Sequence, residues 1–229
     1  MRVVTTFSQK LYDHYAYRVV ETFENWPEEA KLIIYSEDMT QGDTDRVEWR
    51  KMDFPDLESF KSRCQPTNNY MYDAARFAHK MWAMIHGSWD AEGLCFWLDA
   101  DCVTHRKPSA EFLNRLIPPQ YYFGYFGRTN LYTETGFWGV RANHECHKPF
   151  MSALKNTYMS GEIFGLPWWT DCHVLDHVRN KLSPPSINLS GEFSKATHPM
   201  ALHQIGKYID HCKGKRKEKG ISPENRWRK

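Results

Sequence analysis

The sequence predicts an α/β fold: a single domain with a mainly parallel, twisted sheet flanked by helices, ending in a basic tail. Three observations carry that expectation. Short β-branched and aromatic runs alternate with amphipathic stretches through the first hundred residues, the pattern of strands joined by helical crossovers. One run, Leu94–Leu98 (LCFWL), is apolar at every position, as a strand buried on both faces must be. With 229 residues, 41% of them hydrophobic and 15% aromatic, the chain is long enough to close one full core.

The elements follow in order. Val3–Phe7 (VVTTF) reads as the first strand, and Leu11 to Phe23 as a helix with Leu11, Tyr15, Val19, Val20 and Phe23 along one side. Leu32–Tyr35 is a second strand, closed by Ser36–Glu37–Asp38. Residues 37–55 are polar and turn-rich, and a short helix is expected from about Asp56 to Cys64. Pro66–Asn69 is a loop leading into a helix over Tyr70–His86. The stripe Ala74, Phe77, Ala78, Met81, Trp82 and Ile85 packs that helix on the sheet. Gly87–Asp90 breaks it before the strand at Leu94. Further on come a helix over Ser109–Leu116, a Pro118–Pro119 break, and strands at Tyr121–Phe126 and Phe137–Arg141. Helices at Pro149–Ser160 and Asp171–Lys181 precede an irregular segment from Pro184 with a short strand near Ile187–Leu189. After Tyr208 the chain is polar and basic.

Net charge is +2, too balanced to imply a polyanionic partner from composition alone. The charge is concentrated at the C-terminus, where Glu218 and Glu224 are outnumbered by Lys and Arg. Six scattered cysteines without a CxxC pair, and a start without a signal peptide, lead to an expectation of reduced thiols in a cytoplasmic setting, a bacterium or phage-infected cell. No apolar stretch approaches the roughly 18 residues that span a bilayer, so no membrane association is expected.

Chemistry concentrates in three places. Asp99 and Asp101 follow the buried strand (LDADC), and strand alternation would project both to the same side at its C-terminal end. Ligands of open α/β sheets bind at that end, and two adjacent carboxylates call for a divalent cation such as Mg²⁺ or Mn²⁺. By itself such a triplet is better explained by one Asp capping a turn and the other being solvated; what precedes and follows this one reverses that. The preceding helix presents Asp73, Arg76 and Lys80 on one face, either a solvated ion-pair ladder or a set of cations reaching a diphosphate. Downstream, His211–Lys217 (HCKGKRK) has the form HxxGxxK: a His to complete a cation's coordination, a Gly for close backbone approach, and a Lys for compensating charge.

Lys80, the DAD strand and the HxxGxxK segment, in that order and spacing, resemble the GT-A nucleotide-sugar glycosyltransferases, and within them the glycogenin-like and bacterial galactosyltransferase-like branch. VTTFSQKLYD at the N-terminus, YTETGFWGV (Tyr132–Val140) and TDCHVLD (Thr170–Asp176) are similar to further blocks of that branch. The resemblance implies a hexosyltransferase that takes a sugar from a UDP-sugar, UDP-glucose being favoured. It implies Asp99, Asp101 and His211 as ligands of Mn²⁺ or Mg²⁺. Thr5, Phe7, Tyr12, Arg76, Lys80, Asp99, Lys213, Gly214 and Lys217 would bind the donor, and residues 211–229 would close over the domain formed by 1–210. Asp171 and Glu134 would be the carboxylates beside the reacting centre. Glu134 stands where the branch has Asn, His173 where it often has an acid, and Glu218–Lys219 where Pro-Trp follows the lysine.

The acceptor side is less matched. Trp138, Phe150, Trp168 and Trp169 read first as core and second as a platform for a sugar or a base. The basic tail points to a nucleic acid, and the chain is similar in this respect to phage enzymes that glucosylate hydroxymethylated pyrimidines in DNA. A saccharide or protein acceptor is the alternative. A nucleotidyltransferase ranks below both, since TTFSQK lacks the glycine-rich signature such enzymes carry.

Overall fold

A computed structural model describes residues 1–228. Its centre is β1 (Arg2–Phe7), which pairs in parallel with β2 (Lys31–Ser36) on one side and with the apolar strand at Leu94–Leu98 on the other. β3 (Val47–Lys51) extends the parallel set beyond β2, and Leu94–Leu98 is β4. Then come β5 (Cys102–Thr104), β6 (Phe123–Arg128), β7 (Leu131–Arg141), β8 (Ser186–Asn188) and β9 (Ile209–His211). The main sheet runs β3-β2-β1-β4-β7-β6-β8, with β7 antiparallel to both neighbours and the other pairings parallel.

The sheet is apolar on both faces because its strand residues alternate between two cores. Val4, Ile33, Cys95, Trp97 and Trp138 face one, covered by α3 (Pro55–Lys61), α4 (Ala74–Ser88), α6 (His147–Met159) and α7 (Asp171–Leu182). Val3, Phe7, Leu32, Ile34, Phe96 and Phe137 face the other. That face is covered by the N-terminal helical segment of α1 (Gln9–Leu11) and α2 (Tyr17–Glu21), by α5 (Ala110–Leu116), and by α8 (Pro199–Leu202). The result is the expected three-layer α/β arrangement. Trp138 and Phe150 are core; Trp169 is partly buried against it and Trp168 is exposed.

Several elements differ from the sequence expectation. The helix from Leu11 to Phe23 is broken by a π-type turn at Tyr12–Ala16, which pushes Tyr15 inward. The helix expected from Tyr70 begins at Ala74, because the Asp73 carboxylate caps it by accepting from the Arg76 amide. Asp73 is therefore a cap rather than a rung in a ladder with Arg76 and Lys80. β3 lies within the stretch read as polar and turn-rich: as an edge strand it turns only Val47 and Trp49 to the core, an alternation too short to stand out among Glu48, Arg50 and Lys51. The polar C-terminus is not a loose tail. β9 pairs antiparallel with β5, placing His211 opposite Cys102. The chain then turns through α9 (Arg216–Lys219) and is pinned where the buried Asp210 carboxylate accepts from the Ser222 amide at 2.8 Å and from Arg228 at 3.3 Å. Asn225 and Trp227 donate to the carbonyls of Gly206 and His203. All six cysteines are unpaired, and among the described residues no helix is long and apolar enough to cross a membrane.

Candidate active site

β4 ends at Leu98, and the two aspartates lie on the tight turn after it, where the Cys102 amide donates to the Asp99 carbonyl at 2.9 Å. A turn, not strand alternation, thus brings both carboxylates to the C-terminal edge of the parallel strands. β5 leaves that turn and pairs with β9, which delivers His211 to the same point. Its Nε2 lies 3.0 Å from Asp101 Oδ1 and 3.5 Å from Asp99 Oδ2, and its Nδ1 lies 3.2 Å from Glu134 Oε1. The ring rests on the backbone of β7 at Gly136, where a Cβ would sit 2.1 Å from Nδ1. Only glycine leaves room for the imidazole there.

Lys80 reaches the site from the middle of α4. Its buried ammonium donates to Asp99 Oδ1 at 2.7 Å and to the Thr135 carbonyl at 2.6 Å, and lies 2.7 Å from Asp171 Oδ2. Trp97 Nε1 donates to Asp99 Oδ1 at 2.6 Å. From the C-terminal segment, Lys217 Nζ lies 3.0 Å from Asp101 Oδ2 and 3.3 Å from the Tyr15 hydroxyl, while Lys213 pairs with Glu134 Oε2. Arg128 Nη1 is 3.7 Å from the same Glu134 oxygen. Gly214, at φ +58°, makes the left-handed turn between the two lysines.

Burial disfavours charge throughout, yet opposite charges override it. Asp101 is held below the usual carboxylate range by His211 and Lys217 against its own burial. Glu134 is held well below it by His211 and Lys213, and Asp171 by Lys80. Burial opposes the His211 charge, but Asp101 and Glu134 raise its pKa to about 9. His173 and His198 are pushed by burial down to about 4, the pull of nearby carboxylates being too weak there to offset it.

The donor set suits a hard or borderline cation. Asp101 Oδ1 is buried without an aligned hydrogen-bond donor, although it lies against the His211 ring. Polar atoms left in that condition are ones a cation or water would satisfy. The ligand atoms of Asp101, Cys102 and His211 lie within 4.8 Å of one another. The Cys102 thiol is raised well above its ordinary pKa by burial, which suits it poorly to a hard ion. Asp99 stands outside that close group, one oxygen held by Lys80 and Trp97 and the other facing His211.

Beside this network is an open cavity of about 420 Å³. Arg76, Lys80, Asp99, Asp101, Glu134, Asp171, His211, Lys213, Gly214 and Lys217 all line it. Thr5 and Phe7 do not: both are buried, and the half-buried Tyr12 stacks on Phe7 with ring centroids 5.8 Å apart. Alternation along β1 and the π-type turn give Thr6, Leu11 and Tyr15 to that wall instead. Sequence reading passed over these three, and Thr135, Gly136 and Arg128 as well. The GxxK spacing and the acidic triplet carry a signal; a carbonyl that accepts from Lys80, or a glycine under an imidazole, carries none.

No protein-family description and no curated protein matches this chain. Solved structures do. The galactosyltransferase LgtC, in complex with donor and acceptor sugar analogues, superposes with a TM-score of 0.55 at 10% identity over 82% of this chain and 73% of that one. Mouse xyloside xylosyltransferase 1, in its apo form, gives 0.52 at 10% identity over 82% and 84%. The bifunctional glycosyltransferase WbbM gives 0.51 at 9% identity, over 84% of this chain and 39% of its own length. At such identities the shared property is the fold: this chain has the GT-A fold of those glycosyltransferases, its acidic turn and His211 standing at the carboxyl ends of the parallel strands.

Proposed function

We propose that the protein is a metal-dependent glycosyltransferase that moves a hexose, glucose first among the candidates, from a UDP-sugar to an acceptor hydroxyl. The observation that carries this reading is the convergence of Asp99, Asp101 and His211 with Lys80, Lys213 and Lys217 around one open cavity. Asp101, His211 and the free oxygen of Asp99 would hold Mn²⁺ or Mg²⁺, which when bound supplies Lewis-acid stabilisation of the departing diphosphate. Lys213 and Lys217 would turn from Glu134 and Asp101 to the phosphate oxygens, where fixed positive charge is most useful as negative charge develops. Lys80 fixes Asp99 and Asp171 relative to each other, and Asp171 faces the cavity to accept from a sugar hydroxyl.

Asp171, one of the two carboxylates expected beside the reacting centre, is held ionised by the buried Lys80, which makes it a weak base. That supports retention of configuration. The acceptor oxygen bonds to the anomeric carbon on the face from which the diphosphate leaves, and the acceptor's proton goes to the departing phosphate oxygen.

For the acceptor, the charge of the C-terminal segment is largely neutralised within the molecule: Lys213 by Glu134, Lys217 by Asp101, Arg216 by Glu224 and Arg228 by Asp210. Lys215, Lys219 and Arg226 remain exposed, which is thin support for a hydroxymethylated pyrimidine in DNA. A saccharide hydroxyl has more behind it, because Tyr70, which lines the cavity, exposes aromatic surface there.

Calorimetry with UDP in Mn²⁺ and in EDTA, followed by hydrolysis of UDP-glucose, UDP-galactose and UDP-xylose, tests the reading. UDP should bind at least tenfold more tightly with Mn²⁺, and Asp101→Asn should abolish turnover while remaining folded. Metal-independent UDP binding, or full activity in Asp101→Asn, refutes it. DNA containing 5-hydroxymethylcytosine, supplied as acceptor beside a saccharide panel, decides the acceptor class by product mass.

A further inference from the structure

A second cavity, of about 300 Å³, adjoins the first, and Arg128 and Thr133 line both. It lies between the β6–β7 hairpin, α7 and the chain leaving β8. We infer that it is a subsite for the distal ring of the acceptor, so that the acceptor is a saccharide of at least two units. The inference rests on the glycosyltransferase reading above and specifies its substrate.

The chemistry of the walls supports a hydroxyl-rich ligand over an anion or a base. Arg179 Nη1 donates to the Tyr125 hydroxyl at 3.3 Å and Nη2 to Asp176 Oδ1 at 3.1 Å. Each of these nitrogens carries a second N–H, so Nη1 and Nη2 each keep one donor without a protein acceptor. Asn188 accepts from the amides of Gly127 and Ser190 through Oδ1, which leaves its NH₂ to donate. That NH₂ lies where a side chain on residue 127 would begin: a Cβ on Gly127 would sit 2.7 Å from Nδ2.

Asp176 adds a carboxylate, held by the Thr133 amide at 2.9 Å and the Thr133 hydroxyl at 2.5 Å. A fixed carboxylate repels an anion, whereas a sugar hydroxyl donates to it and accepts from Arg179 at once. The one aromatic face, Tyr125, is covered by the Arg179 guanidinium 4.3 Å from its centroid, so no base can stack there. Leu131, exposed at the rim, offers apolar surface of the kind the C–H face of a pyranose covers. Because Thr133 joins the floor of both cavities and binds Asp176, a ring in the second cavity would hold its neighbour beside Asp171 in the first.

The test compares methyl β-galactoside, methyl β-glucoside and methyl β-xyloside with lactose, cellobiose and xylobiose, using UDP-glucose, UDP-galactose and UDP-xylose with Mn²⁺. At least one disaccharide should exceed its monosaccharide about tenfold in kcat/KM, the worth of one charged hydrogen bond. Arg179→Gln should erase that ratio, and so should Leu131→Trp, which fills the cavity from an exposed position. Both should leave donor hydrolysis and monosaccharide transfer unchanged. Equal turnover of the paired acceptors in the wild type, or a ratio that survives both variants, overturns the inference. So does donor hydrolysis without transfer to any disaccharide, which leaves the transferase reading intact. Absence of UDP binding and donor hydrolysis overturns that reading and this inference with it.

Discussion

Replacing Lys80 with Met isolates the strongest electrostatic element of the site. The ammonium meets Asp99, Asp171 and the Thr135 carbonyl at 2.6–2.7 Å, so all three of its protons are used. Met keeps the stem's bulk and removes the charge, leaving Asp171, whose side chain is 9% exposed, without a cation. Breaking a buried pair from one side costs roughly 3–5 kcal/mol. For a domain of this size that lowers Tm by on the order of 10 °C. The pH dependence gives the sign. In the wild type the Asp171 pKa is lowered, so its contribution is present above the unfolded value of about 3.9 and is lost as pH falls through the folded one. In Lys80→Met burial is opposed only by the hydrogen bonds from Thr135 and Cys172, so the pKa rises, the ionised carboxylate is stabilised less at pH 7, and protonation relieves it as pH falls. Urea unfolding at pH 7 and pH 4 should therefore show a gap between the two proteins that is wide at pH 7 and narrow at pH 4. Adding Asp171→Asn to Lys80→Met should restore at least about 1 kcal/mol at pH 7. A loss below about 1 kcal/mol, a gap that does not change with pH, or no restoration by the Asn would show that the pair is not the buried lock described.

Three further outcomes are expected. Gly136→Ala places a Cβ 2.1 Å from His211 Nδ1, so the ring must move; Mn²⁺-dependent UDP affinity should fall at least tenfold by calorimetry, and unchanged affinity would contradict the packing. Ending the chain at Gly220 removes the Ser222 amide and Arg228 from the buried Asp210 carboxylate, and should cost about 1–3 kcal/mol in urea unfolding; a dispensable tail would cost nothing. Lys217→Ala should weaken UDP binding in Mn²⁺ about tenfold, and affinity equal to wild type would remove Lys217 from the donor site.

The sequence by itself determined the layers. Short apolar runs and period-3.6 apolar stripes reflect burial, and burial of β1, β2, β4, α4 and α7 is what the fold consists of, so these elements were legible within a few residues. The acidic triplet and HxxGxxK were legible too, because cation and phosphate chemistry restricts residue type. What only the tertiary structure decided are relations between segments with no shared pattern. The pairing of β5 with β9 seats His211 between Asp101 and Glu134, although 110 positions of sequence separate Asp101 from His211. The π-type turn gives Tyr15 rather than Tyr12 to the cavity, since one extra residue in a helical turn rotates every side chain after it. The last eighteen described residues are mostly polar, and polar residues fold by finding particular partners, such as Asp210 for Ser222 or Glu134 for Lys213. Partner choice depends on distance in space, which no periodicity along the chain encodes.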